Sequence, residues 1–199
     1  MLTLSEYFHI AAMSGLILII PGPTNTLLFS SGAATGLHKT LRLIAAEVCG
    51  YLLAIGCWGY ALLQLAASYT WLAPALKIIA AIYVIYLALK VWTFNGAVAA
   101  KPNITLKNVF ITTLVNPKAF LFASYILPAG TFTRLSACIP VMSAFVAVLI
   151  PVSLLWCLLG SLFYPGAHGR KKSSPVLIFR TASLALCVFS FSMMYDVLH

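Results

Sequence analysis

The sequence predicts an all-α integral membrane protein that crosses the bilayer six times, built as an inverted pair of three-helix repeats. Three observations predict this class. Hydrophobic residues make up 62% of the 199-residue chain and charged residues only 8%, against about 25% charged in a typical soluble domain. Mean hydropathy is +1.03, and a soluble fold of this size has no core large enough to hide so much apolar surface. The apolar residues also come in blocks near the roughly 20 residues that a bilayer-spanning helix needs, and two of these blocks are broken by proline.

The six spans follow in order. The first runs from Phe8 to Ser31, the second from Leu41 to Leu65 and the third from Leu72 to Trp92. The fourth is Val109 to Leu127, the fifth Cys138 to Phe163 and the sixth Leu177 to Leu198. Short polar or Gly/Pro-rich turns separate them, the longest being Thr93 to Lys107 with Asn95-Gly96 and Lys101-Pro102-Asn103. These segments read as one membrane domain over 1–199, with a first repeat of about 1–95 and a second of about 105–199. The start of the chain lacks the basic n-region of a signal peptide, since Glu6 is the only charge ahead of the apolar run. The first span is therefore read as a permanent helix.

The net charge of +9 follows the loops and is not a nucleic-acid signal. Lys39 and Arg42 lie in the first loop, and Lys90, Lys101 and Lys107 in or beside the third. The fifth holds Arg170, Lys171 and Lys172, with Arg180 just inside the sixth span. The opposite side has Arg134 and the nearby Lys77. Cytoplasmic loops collect Lys and Arg, so the odd-numbered loops are expected inside and both termini outside.

The breaks matter most. The first span contains Pro21-Gly22-Pro23 and the fourth contains Asn116-Pro117-Lys118. Proline removes a backbone donor and clashes with a preceding carbonyl, and polar groups freed inside a membrane must be satisfied by protein or water. A packing kink is the plain alternative, because proline is common in membrane helices. Two interrupted segments at corresponding places in two halves are, however, the sequence pattern of a transporter site. Pro151, alone in the fifth span, reads as a kink. At about 1.5 Å per residue, Asn116, Pro23 and Glu47 all lie about 9–12 Å from the cytoplasmic ends of their spans.

Each break supplies a helix start. Asn116 is suited to cap a helix beginning at Pro117, and Thr24 or Asn25 one beginning after Pro23. Two such N-termini, each with free N–H groups and a partial positive charge, suit a carboxylate. Lys118 either adds a full charge there or snorkels away. Glu47 is the one acidic residue deep in a span. Intramembrane carboxylates are functional by default, and one without a partner takes up a proton. The alternative is a structural ion pair with Lys118 or Lys77. Ala46, Gly50 and Ala54 form a small-residue stripe of the kind that permits close helix packing.

These residues resemble the LysE/RhtB family of bacterial amino-acid exporters. The likeness begins at Pro21-Gly22-Pro23-Thr24-Asn25 and continues through Ser30, Ser31 and Gly36. It extends along Leu76-Lys77, Tyr83 and Tyr86-Leu87, and includes Asn116-Pro117-Lys118-Ala119 and Leu127-Pro128. It covers about the whole chain in order and spacing. The stretch from Gly36 to Ala45 looks most like the cysteine and O-acetylserine exporter branch. The family pattern has glycine at the Ala46 position and an acidic residue at the Tyr51 position. Glu47 lies four residues before Tyr51, on the same helix face. It either takes over the missing acid's role from one turn away, or the coupling scheme differs.

The resemblance implies a secondary transporter of the bacterial inner membrane. It would export a small amino acid or derivative, with proton coupling the usual energy source. The implied substrate-binding residues are Pro21, Gly22, Pro23, Thr24, Asn25, Asn116, Pro117 and Lys118. Glu47 is the expected proton-coupling residue, and Tyr51 is expected near the site. The expected partners are the amino-acid substrate and the lipid bilayer; no cofactor or metal is implied, and a homo-oligomer is left open. A channel for another small metabolite or ion is the alternative function. Transmembrane thiol–disulfide carriers also have two broken helices, but need a cysteine at each. Here Cys49, Cys57, Cys138, Cys157 and Cys187 all lie elsewhere. An enzyme is not indicated, since His9, His38, His168 and His199 form no H-E-x-x-H motif.

Overall fold

Thr3 opens the first helix of the computed structural model, which describes residues 3–69, 71–92 and 104–162 together with Arg180, Leu184, Cys187, Val188, Phe191 and Tyr195. The Thr3 hydroxyl accepts from the Glu6 N–H, and the Glu6 carboxylate accepts from the Thr3 N–H at 2.7 Å. This reciprocal pair satisfies two donors that a helix start leaves free. Helix α1 (Leu4–Ile19) then runs to the Pro-Gly-Pro triplet, and α2 (Pro23–Thr35) resumes at an angle of 61°.

Gly36, with φ of 81°, joins α2 directly to α3 (Leu37–Ser68). A left-handed residue is what permits so abrupt a turn, and glycine adopts it without strain. Helix α4 (Leu72–Trp92) has the bounds predicted for the third span. Helix α5 (Leu106–Leu114) opens with a second reciprocal cap, Thr105 with Asn108. After the second break come α6 (Pro117–Leu121) and a π-helical turn over Phe122–Ile126, closed by the Leu127 N–H on the Phe122 carbonyl. A 3-10 turn (Ala129–Phe132) leads to α7 (Leu135–Ser161), which continues through Pro140 and Pro151.

Among the described residues the chain is all-helical. Leu37–Leu65 and Leu135–Ser161 are long and apolar enough to cross a bilayer, and each bent pair qualifies when taken as one broken span. The exposed faces are apolar too, including Ile79, Ile82 and Leu89 on α4 and Ile139 and Leu158 on α7. Such faces suit a lipid surround. The predicted loop Thr93–Lys107 falls largely outside the described residues, and so does most of the sixth span, Leu177–Leu198.

Two apolar clusters hold the helices together. One gathers Leu28, Phe29, Leu43, Leu121 and Trp156; the other gathers Ile17, Leu18, Tyr51, Phe122 and Phe145. Helices α2 and α7 approach backbone to backbone. A Cβ at Gly160 would lie 2.1 Å from the Phe29 carbonyl oxygen, and one at Gly32 would lie 2.5 Å from that of Cys157. Gly50, from the predicted small-residue stripe, admits Thr113 of α5 in the same way, at 2.8 Å from a built Cβ.

Candidate functional site

The first break leaves carbonyls without partners. Pro21 and Pro23 have no N–H, and the 61° bend between α1 and α2 carries the N–H groups of Gly22 and Thr24 away from the Leu18 and Ile20 carbonyls that they would meet in a straight helix. The structure supplies outside donors. Asn25 Nδ2 donates to the carbonyls of Leu18 at 2.7 Å and Ile20 at 2.8 Å. Lys118 Nζ, from the second break, donates to the same Ile20 carbonyl at 2.5 Å. A cation at this position also faces the negative end of the α1 dipole. Gly22 makes room for it, since an added Cβ would come within 3.0 Å of Lys118 Cε.

The helix after the first break corrects one expectation. Thr24 and Asn25 do not cap it. Pro23 occupies its first turn, so the capping position falls on Gly22, which has no side chain to offer. The polar side chains of Thr24 and Asn25 are thereby released for longer-range bonds.

The second break behaves as its sequence suggests. Asn116 Oδ1 accepts from the Lys118 N–H at 3.0 Å, capping the helix that starts at Pro117. That bond fixes the amide's orientation and turns Nδ2 across the bundle. Nδ2 donates to Thr24 Oγ1 at 3.1 Å and to the Tyr51 hydroxyl at 3.2 Å. Thr24 Oγ1 in turn pairs with Thr113 Oγ1 at 3.1 Å, while Thr113 donates to the Val109 carbonyl at 2.8 Å.

Tyr51 is held from behind. Its ring meets Phe122 and Phe145 edge to face, with centroids 6.1 and 5.7 Å away, a favoured aromatic geometry. Only the hydroxyl is left to reach the break. One turn earlier on α3, Glu47 Oε2 lies 2.5 Å from the Ser153 hydroxyl of α7. Glu47 Oε1 meets no donor among the described residues.

The structure thus brings together Thr24, Asn116, Lys118 and Tyr51, with Pro21 and Gly22 buried beside them. Asn25 faces the end of α1, and Pro23 and Pro117 act through the backbone. Glu47 is one step removed, on the α7 side. Lys118 does not snorkel: it is buried and bonded to Ile20. Nor is it paired with Glu47, because each has a different partner among the described residues. Thr24, Asn25, Asn116, Lys118, Tyr51 and Glu47 are all buried. Thr113, Ser153 and the Ile20 carbonyl complete the network and were not among the residues the sequence singles out. Thr113 stands three residues before Asn116, and Ser153 is a lone polar group two residues after Pro151.

Comparison of the chain with protein-family models, with curated proteins and with solved structures finds no match. The chemistry of the site therefore rests on its own geometry. It offers hydroxyl and amide groups, one lysine ammonium and two proline-initiated helix starts, with a carboxyl group one turn away.

Proposed function

We propose that this protein is a secondary transporter of the LysE/RhtB kind that exports a small amino acid or derivative from the cytoplasm, driven by protons. In this reading six spans form an inverted pair of three-helix repeats in a bacterial inner membrane, with both termini outside. One observation carries it. The two interrupted helices are joined side chain to side chain and side chain to backbone, through Asn116 to Thr24 and Lys118 to Ile20. Paired broken helices that meet within the bundle are the sequence and structural pattern of midplane substrate sites. Opening the network would free Thr24, Asn116 and Lys118 together, and Lys118 would then have an ammonium to offer a substrate carboxylate.

Efflux of labelled amino acids from loaded cells is the direct test. Failure to export any amino acid or derivative across a broad panel would overturn the reading. Cysteines introduced as Thr24→Cys and Asn116→Cys, with the native cysteines removed, are expected to react with a small hydrophilic thiol reagent and to be protected by the substrate so found. Inertness of either one in every condition argues against a shared site. Reporter fusions after Lys107 and Lys172 are expected to report cytoplasm, and one at His199 the outside.

Glu47 is the coupling residue in this reading. Glu47→Gln keeps the shape and removes the titration. It is expected to insert normally and to exchange substrate, but to lose proton-driven accumulation in inside-out vesicles. Accumulation equal to the parent's would make Glu47 structural.

A further inference from the structure

The partner of Glu47 has a role of its own. Ser153 Oγ lies 2.5 Å from Glu47 Oε2 and 2.8 Å from the Leu149 carbonyl oxygen. A serine hydroxyl has one hydrogen to donate and can also accept. If Glu47 were a carboxylate, two acceptors would compete for that hydrogen, and the loser would face the lone pairs of Ser153. If Glu47 carries a proton on Oε2, both contacts are satisfied. Glu47 then donates to Ser153, and Ser153 donates to Leu149. Oε1 becomes the carbonyl oxygen of a neutral acid, and its lack of a donor among the described residues costs far less than it would for a buried carboxylate.

Among the described residues no charged group is bonded to Glu47. Among those residues, the titratable groups near enough to interact with it are Lys118 on α6, Tyr51 on α3 and Cys157 on α7. Lys118 is bonded to Ile20 and Tyr51 accepts from Asn116. Among the described residues, Ser153 is the only hydrogen-bond partner of the Glu47 side chain.

We propose that Ser153 is a positioning residue that adapts to the protonation state of Glu47, and that Glu47 holds a proton in this conformation. Rotation about the Ser153 Cβ–Oγ bond exchanges the two states. The hydroxyl accepts from the acid and donates to Leu149, or it turns to donate to the carboxylate once the proton has left. The only exchange with solvent is one proton on one carboxyl oxygen, and no heavy atom has to move. The importance of this device for transport rests on the coupling role proposed for Glu47; the protonation itself does not.

Infrared difference spectroscopy of the full chain in lipid vesicles at neutral pH tests it. The parent is expected to show a carboxylic-acid C=O band that is lost in Glu47→Gln, which separates it from Glu6 and Asp196. Ser153→Ala is expected to keep the band and move it to higher frequency, because the acid has lost its acceptor. Ser153→Thr, which restores a hydroxyl, is expected to return it to the parent position and serves as the test if the alanine variant does not fold. Absence of a Glu47-dependent acid band in the parent overturns the proposal, as does a band unmoved by Ser153→Ala. The expected bands together with undiminished proton-driven accumulation in Glu47→Gln would overturn the coupling reading and leave this inference standing. Lost accumulation with no such band would do the reverse.

Discussion

The two broken helices share a plan and differ in how they are held. Each opens on a reciprocal threonine cap, Thr3 with Glu6 and Thr105 with Asn108, and each resumes after its break with a proline in the first turn. The second break is self-sufficient, because Asn116 caps the helix that follows it. The first break is not. It has two prolines and a glycine, no side-chain cap and a wider bend, 61° against 42°. Its freed carbonyls depend on Asn25 and on a lysine from the other break. One interruption is a local solution, and the other is held in shape by its counterpart.

Removing Asn25 should break this contrast most. Asn25→Ala leaves the Leu18 carbonyl without its side-chain donor and Ile20 with Lys118 alone. A loss of about 3 kcal/mol is expected for two buried bonds, read by chemical unfolding in detergent. A cost no greater than that of Asn116→Ala would show that the first break does not depend on borrowed donors. Asn116→Ala removes one cap, for about 1 kcal/mol, plus the modest net worth of the bonds to Thr24 and Tyr51. It should weaken transport more than stability and leave insertion intact. Lys118→Met sharpens the point. It removes a donor from Ile20 but also relieves the burial of a charge, so stability should stay within about 1 kcal/mol of the parent. Transport should be lost in that variant, and retained transport would confine Lys118 to a structural role. Pro117→Ala should matter least, at about 0.5 kcal/mol, because a first-turn N–H has no partner within its helix.

Much of this was legible in the sequence. The long helices follow the apolar blocks, and α4 matches its predicted bounds from Leu72 to Trp92. The breaks were legible because proline cannot continue a backbone ladder wherever it is placed. The partners of the breaks were not. Asn116 and Thr24 are 92 residues apart, and no local pattern says that they meet. The capping place after the first break lies two residues before Thr24 and three before Asn25, because Pro23 itself enters the helix and moves it to Gly22. The sequence offers Lys118 two roles, site charge or snorkelling, and its bond to the Ile20 carbonyl is neither. Nothing local marks Ser153, whose partner Glu47 lies 106 residues away in the chain.

The glycine contacts between α2 and α7 carry a mechanical consequence. With Gly160 against the Phe29 carbonyl and Gly32 against that of Cys157, α2 and α7 leave no room between them for a side chain larger than hydrogen, so alanine at either glycine would wedge the two helices apart. Flanking α2 are two points where the backbone turns sharply, Pro21-Gly22 and Gly36, where φ is 81°. A swing of α1 about the first of them would pull the Ile20 carbonyl off Lys118.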